Sequence, residues 1–151
     1  MPTVLDKPFF IEGNASRDDV LRALFNLFEN ESSAETLTAD ALDAMKRAAM
    51  EREATSSTFL GRGLAVPHGR TEFLSEIHVA AGFSENGICW PDENSRAHLV
   101  LLLGVPATMI REYLLLMQKI LRWHKDTKTI DADGRVLDPD ALFSELKTLL
   151  A

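Results

Sequence analysis

The run from His98 to Val105, HLVLLLGV, constrains this chain more than any other stretch. It is apolar without alternation, as in a strand covered on both faces rather than wetted on one. Pro106 closes it, because proline cannot donate to a strand ladder. A strand buried on two sides needs layers above and below, and the sequence supplies helices for both. Val20, Leu21, Leu24, Phe25, Leu27 and Phe28 recur at helical spacing, and so do Leu42, Met45 and Ala49, joined by Ala41. Met109, Tyr113, Leu116, Met117, Ile120 and Leu121 form a third stripe, and Leu142, Phe143, Leu146, Leu149 and Leu150 a fourth. The expectation is an α/β sandwich around one central sheet.

Local signals place the ends of these elements. Ser16 is an N-cap, with Asp18 and Asp19 in the favourable first turn. Thr38 caps a second helix that runs to about Arg52, and Asp138 caps the last, with Pro139 at its first position. The third helix runs from Thr108 to about Lys125. Lys7 to Gly13 is an extended lead-in, Asn30 to Thr36 a polar loop, and Arg70 to Glu76 a polar connection. Ile77 to Phe83 is strand-like, Glu85-Asn86-Gly87 signals a turn, and Ile88 to Trp90 is a further short strand. Asp131 to Gly134 is another turn.

At 151 residues the chain suits one domain, spanning 1–151. No apolar run approaches the roughly 20 residues of a membrane span, and no secretory leader pattern opens the chain. The single cysteine, Cys89, fits a reducing cytoplasm and reads as a small buried residue. A net charge of −7 disfavours general nucleic-acid binding, since phosphate backbones require basic surface. No histidine pair has zinc-motif spacing, so neither metal nor cofactor is expected.

The stretch Glu53 to Gly69, EATSSTFLGRGLAVPHG, carries the chemistry. Leu64, Ala65 and Val66 form a short buried strand that stops at Pro67. His68 follows, held by rigid backbone, and Gly69 adds no side chain and is free to take a positive φ. A neutral imidazole is a good nucleophile near neutral pH. If it attacks phosphorus it acquires a dianionic group, which requires hydroxyls and guanidinium forks. Thr55, Ser56, Ser57 and Thr58 supply the former; Arg52, Arg62 and Arg70 supply the latter. The bland alternative is a structural histidine beside a capping loop. His78 and His98, inside strand-like runs, read as satisfied core or edge residues, and His124 as a solvated helix-end residue.

The segment Glu51 to Gly69, EREATSSTFLGRGLAVPHG, resembles the active-site signature of the IIA domain of the fructose–mannitol class. That domain belongs to the phosphoenolpyruvate-dependent sugar phosphotransferase system, and nitrogen-regulatory paralogues share it. The likeness lies in the Arg-Glu pair, the Ser-Thr, the Gly-x-Gly and the apolar-Ala-apolar-Pro-His-Gly ending. It extends more weakly to the N-terminal helix, the strand ending Val105 to Ala107, and the long helix after it. The resemblance implies a three-layer-like sandwich with a central mixed β-sheet flanked by helices. It also implies that His68 is phosphorylated by a small phosphocarrier protein (HPr-like), through a phosphohistidine intermediate. Arg52 would stabilise the phosphoryl group, with Thr58 and Ser57 in the same pocket.

Two departures stand out. Phe59 replaces the family's usual glycine after the Ser-Thr pair. Tyr113 stands where many members carry a second active-site histidine. Its hydroxyl can donate to a phosphoryl oxygen but brings no cation, which bears directly on onward transfer; it also suits plain packing against the sheet. Three readings follow. The leading one is a free-standing cytoplasmic phosphoryl acceptor of the nitrogen-regulatory type, acting on a regulatory target protein. The second is a sugar-delivering component that feeds a IIB domain. The third is a binding module that keeps the fold without the chemistry.

Overall fold

The computed structural model describes residues 2–4, 8–31, 37–92 and 94–151. Strands β1 (Thr3–Val4) and β2 (Phe9–Ile11) precede helices α1 (Arg17–Glu31) and α2 (Ala39–Thr55). Three short strands follow: β3 (Phe59–Gly61), β4 (Leu64–Ala65) and β5 (His68–Thr71). The long strands β6 (His78–Cys89) and β7 (Arg96–Pro106) lead into helices α3 (Ile110–Asp126) and α4 (Pro139–Leu150). The lead-in from Lys7 and the polar loop to Thr36 lie partly outside the described residues.

The sheet is mixed, as the family resemblance implied. Its central pair, β6 and β7, is antiparallel. β1 and β2 run parallel to β6 on one side, and β4 and β5 run parallel to β7 on the other. β3 pairs antiparallel with β4 at the far edge. Side-chain alternation along β7 divides the core in two. Leu99, Leu101, Leu103 and Val105 pack with Leu116 and Ile120 of α3 and with Leu142, Phe143 and Leu146 of α4. Val100 and Leu102 pack on the opposite side with Leu21, Leu24 and Phe28 of α1 and with Met45 and Ala49 of α2. The layers are therefore two helices, a sheet and two helices.

The three expected caps form as simple local chemistry. Ser16 Oγ accepts from Asp19 N at 3.2 Å, Thr38 Oγ1 from Ala41 N at 3.1 Å, and Asp138 Oδ1 from Ala141 N at 3.1 Å.

Several expectations are corrected. Arg70 and Thr71 do not begin a polar connection; with His68 and Gly69 they form β5. Pro67 interrupts donation, yet its carbonyl accepts from Leu103 N at 3.0 Å, so the ladder beside β7 resumes at once. Glu85-Asn86-Gly87 does not reverse the chain. Gly87 takes φ +85° inside β6, and pairing jumps from Phe83↔Leu99 to Ile88↔Ala97, which is a bulge. Gly69 is not required for a positive φ. A Cβ there would overlap the backbone oxygen of Met45 and lie 2.9 Å from Ala49 N, so glycine permits β5 to lie against α2. Cys89, expected to be buried, is exposed at the end of β6.

Of the other three histidines, His98 meets expectation and His78 and His124 differ from it. His98 is satisfied: its Nδ1 donates to the Ser84 carbonyl at 2.9 Å. His78 is buried, but among the described residues its Nε2 has no hydrogen-bond partner; Glu76 is 3.8 Å away. His124 is not solvated. It is 7% exposed, and its Nε2 donates to the Arg62 carbonyl at 2.9 Å. In return the Arg62 guanidinium donates to the carbonyls of His124 and Lys125, closing the C-terminal end of α3. Burial holds the pKa of both His78 and His124 below the ordinary value of 6.5.

Two predictions follow from this packing. Gly69→Ala should lower unfolding free energy by about 3 kcal/mol, because backbone rather than a flexible side chain must move; urea denaturation measures this. The second concerns pH. With folded pKa values depressed, the unfolded chain takes up protons near pH 6.5 that the native state refuses. Stability should therefore be level above about pH 7 and decline as pH falls below 6.5. His124→Gln, which keeps a donor for the Arg62 carbonyl and cannot titrate, should flatten that decline in urea midpoints.

Candidate phosphoryl-transfer site

His68 opens β5 opposite Leu103, near the end of β7. Gly69, the next residue, turns its bare face to α2, so the imidazole lies on the other side of the strand, against α3. The ring is half-buried, and its Nδ1 lies 3.1 Å from the Val66 carbonyl oxygen. A carbonyl only accepts, so Nδ1 carries the proton and Nε2 keeps the lone pair. The Tyr113 hydroxyl lies 3.3 Å from Nε2 and donates to it, with the two rings 5.1 Å apart and tilted.

The cleft in front of Nε2 has a volume of about 610 Å³. Arg52 and Thr55 enter it from α2, Arg70 from β5, and Ile110, Tyr113 and Leu114 from α3. Desolvation is the largest influence on His68 and lowers its pKa from 6.5; the Val66 carbonyl opposes this, Arg52 reinforces it, Glu53 opposes it and Arg70 reinforces it. The balance keeps the ring neutral, which is the form that has a lone pair to donate. Burial raises the pKa of Tyr113, so its phenol remains a proton donor at neutral pH.

Arg52, His68 and Tyr113 thus share one cleft. Arg70 joins them, as do the hydroxyl-bearing side chain of Thr55 and the apolar rim of Ile110 and Leu114, both exposed. The hydroxyl candidates are largely engaged within the protein, Thr55 included: its Oγ1 donates to the Glu51 carbonyl at 2.9 Å. Thr58 is buried, and its Oγ1 donates to Glu53 Oε2 at 2.6 Å. Ser57 Oγ accepts from Phe59 N at 3.0 Å, and Ser56 does not line the cleft, although its backbone carbonyl accepts from Arg52 Nη1 at 2.6 Å. Arg62 is engaged at the end of α3 and does not line the cleft.

Sequence reasoning named Glu53 only within the Arg-Glu pair of the family likeness and gave neither it nor Trp90 a role. Glu53 Oε1 accepts from Trp90 Nε1 at 2.7 Å and from Thr58 N at 3.1 Å. A signal for Glu53 was present: it continues the spacing of Ala41, Met45 and Ala49, the buried face of α2.

Among the described residues no group of histidine, cysteine and carboxylate side chains is placed to hold a metal ion. No described helix is long and apolar enough to cross a membrane.

Comparison with known proteins agrees with this geometry. Residues 8–148 match the family model for the phosphoenolpyruvate-dependent sugar phosphotransferase system, EIIA 2. A fructose-specific EIIA component from Haloferax volcanii is 30% identical over 108 residues, covering 68% of this chain and 70% of that protein. Other curated relatives are larger, and the matched segment spans a tenth to a quarter of their length. Among solved structures, nitrogen regulatory protein IIA-Ntr from Neisseria meningitidis superposes with a TM-score of 0.71 at 21% identity, covering 95% of this chain and 92% of that one. The mannitol IIA enzyme of Escherichia coli, solved in complex with phosphorylated IIB, gives 0.70 at 18% identity, covering 93% and 94%. A half-buried neutral histidine facing two arginines, on a sheet of this topology and in a sequence matched almost end to end, places the chain in the EIIA type 2 family of the phosphotransferase system, a family of phosphoryl carriers.

Proposed function

We propose that this protein accepts a phosphoryl group on Nε2 of His68 from an HPr-like phosphocarrier protein. The observation that carries the reading is the Nδ1–H···O=C bond to Val66. It directs the lone pair of Nε2 into the cleft, where Arg52 and Arg70 await a dianion. In the transfer, Nε2 forms a bond to phosphorus as the donor's nitrogen–phosphorus bond breaks, and the donor imidazole leaves with the electron pair. The Val66 carbonyl offsets the positive charge that develops on the His68 ring. Tyr113 turns its hydroxyl from Nε2 to a phosphoryl oxygen, and the arginine forks neutralise the group. Phosphoryl transfer asks little beyond positioning and charge stabilisation, and these residues supply both. Ile110 and Leu114 give a protein donor an apolar rim to dock on.

The regulatory type is the preferred reading of the role. Tyr113 places a neutral donor where a cationic imidazole stands in many relatives, so it gives an onward transfer state less charge stabilisation. Phosphorylation would instead change the charge offered to a regulatory target protein. The sugar-delivering reading has its own support in the fructose-specific relative. In that case a IIB domain receives the group.

Incubation with phosphocarrier, its upstream kinase and phosphoenolpyruvate should add one phosphoryl group to the intact mass of the wild type and none to His68→Ala. An adduct that survives in His68→Ala overturns the assignment. Tyr113→Phe, which loses one neutral hydrogen bond, should slow acceptance about threefold to tenfold. Added fructose- or mannitol-type IIB should leave the wild-type adduct largely in place under the regulatory reading and drain it under the sugar-delivering one.

A further inference from the structure

Glu53 has no part in the chemistry assigned to His68, yet the residue is 3% exposed and both oxygens of its carboxylate accept hydrogen bonds. Oε1 accepts from Trp90 Nε1 at 2.7 Å and Thr58 N at 3.1 Å, and Oε2 accepts from Thr58 Oγ1 at 2.6 Å. The donors come from two places: the segment entering β3, and the residue just after β6. Among the described residues, neither lysine nor arginine pairs with it. Burying a carboxylate on neutral donors alone costs more than burying a hydrocarbon, so its contribution is better sought in geometry than in stability.

Glu53 directly follows Arg52 in the last turn of α2, about 100° around the helix. One side chain turns to the core and the other to the cleft. Anchoring the first therefore sets the azimuth of the second. We propose that Glu53 is a positioning residue for phosphoryl transfer: its three hydrogen bonds to Thr58 and Trp90 hold the end of α2 so that Arg52 stays in the cleft with His68. The proposal depends on acceptance at His68 only where a transfer rate is read. The charged and titratable groups around His68 are Glu51 and Arg52, which line the cleft from α2, Glu53 behind them in the core, Arg70 from β5, and Tyr113 from α3.

The test compares Glu53→Gln with Glu53→Leu. Both remove the same charge, so any difference between them reports geometry. Glutamine keeps an acceptor for Trp90 and Thr58 N, and its amide donates to Thr58 Oγ1; leucine abandons all three donors. In the unphosphorylated protein, the His68 titration midpoint followed by NMR should lie higher in Glu53→Leu than in Glu53→Gln, because Arg52 leaves and no longer opposes ring protonation. In an Arg52→Ala background that difference should vanish. Acceptance from the phosphocarrier should be about tenfold slower in Glu53→Leu than in Glu53→Gln, and equal when Arg52 is absent. Trp90→Phe removes one donor and no charge; it should raise the midpoint in the same direction and keeps the test open if Glu53→Leu does not fold. Equal midpoints in Glu53→Gln and Glu53→Leu, or a difference that persists without Arg52, overturns the proposal. The titration needs no phosphoryl donor, so failure of acceptance at His68 is read separately.

Discussion

The approach of β5 to α2 is the contact on which the site depends. Met45 and Ala49 present backbone to Gly69, and any side chain at that position would push the strand away. Along its edge, Leu103 N donates to the Pro67 carbonyl and the β5 ladder runs on to Thr71↔Pro106. The residue before Gly69 must then point to the opposite face, where α3 carries Tyr113. Arg52, one turn and a half beyond the Met45–Ala49 contact on α2, reaches the end of the same strand. A single missing Cβ thus sets the distance between the helix that carries the arginine and the strand that carries the nucleophile.

Elements specified by nearby residues were legible in the sequence. Ser16, Thr38 and Asp138 cap helices through donors three residues away, and His98 to Val105 is buried on both faces as its composition demands. β5 was not legible. His68, Gly69, Arg70 and Thr71 have no strand pattern of their own and are held by register with Leu103 to Pro106, more than thirty positions away. The bulge in β6 misled for a related reason. Glu85-Asn86-Gly87 has turn chemistry, and Gly87 does take a positive φ, but pairing on both sides keeps the chain in the strand.

One misreading and one omission share a cause. Ala41, Met45, Ala49 and Glu53 recur every four residues along α2, as do Leu116, Ile120 and His124 along α3. The period places both Glu53 and His124 inside, yet His124 was read as solvated and Glu53 was given no place in the core. The period was right in both cases because a distant partner existed for each: Trp90 Nε1 for the carboxylate and the Arg62 carbonyl for the imidazole. A polar residue in phase with a buried stripe is better read as the mark of a specific bond than as the end of the stripe.

The site itself is a problem of charge arranged before the ligand arrives. Burial and two arginines disfavour a proton on His68, which preserves its nucleophilicity but would also repel any ring positive charge formed on phosphorylation. The Val66 carbonyl and the Glu53 carboxylate act in the opposite sense. Under the proposed acceptance at His68, the negative charge of the bound group would reverse the role of Arg52 and Arg70 from destabilising a cation to stabilising an anion. A second cationic imidazole would deepen that preference for the charged product. Tyr113 leaves it shallower, since a phenol held neutral by burial offers only a dipole. Under the proposed acceptance, a tyrosine rather than a histidine at position 113 would act on the product side of the equilibrium, where the added charge resides, while in the free protein its hydroxyl occupies the Nε2 lone pair.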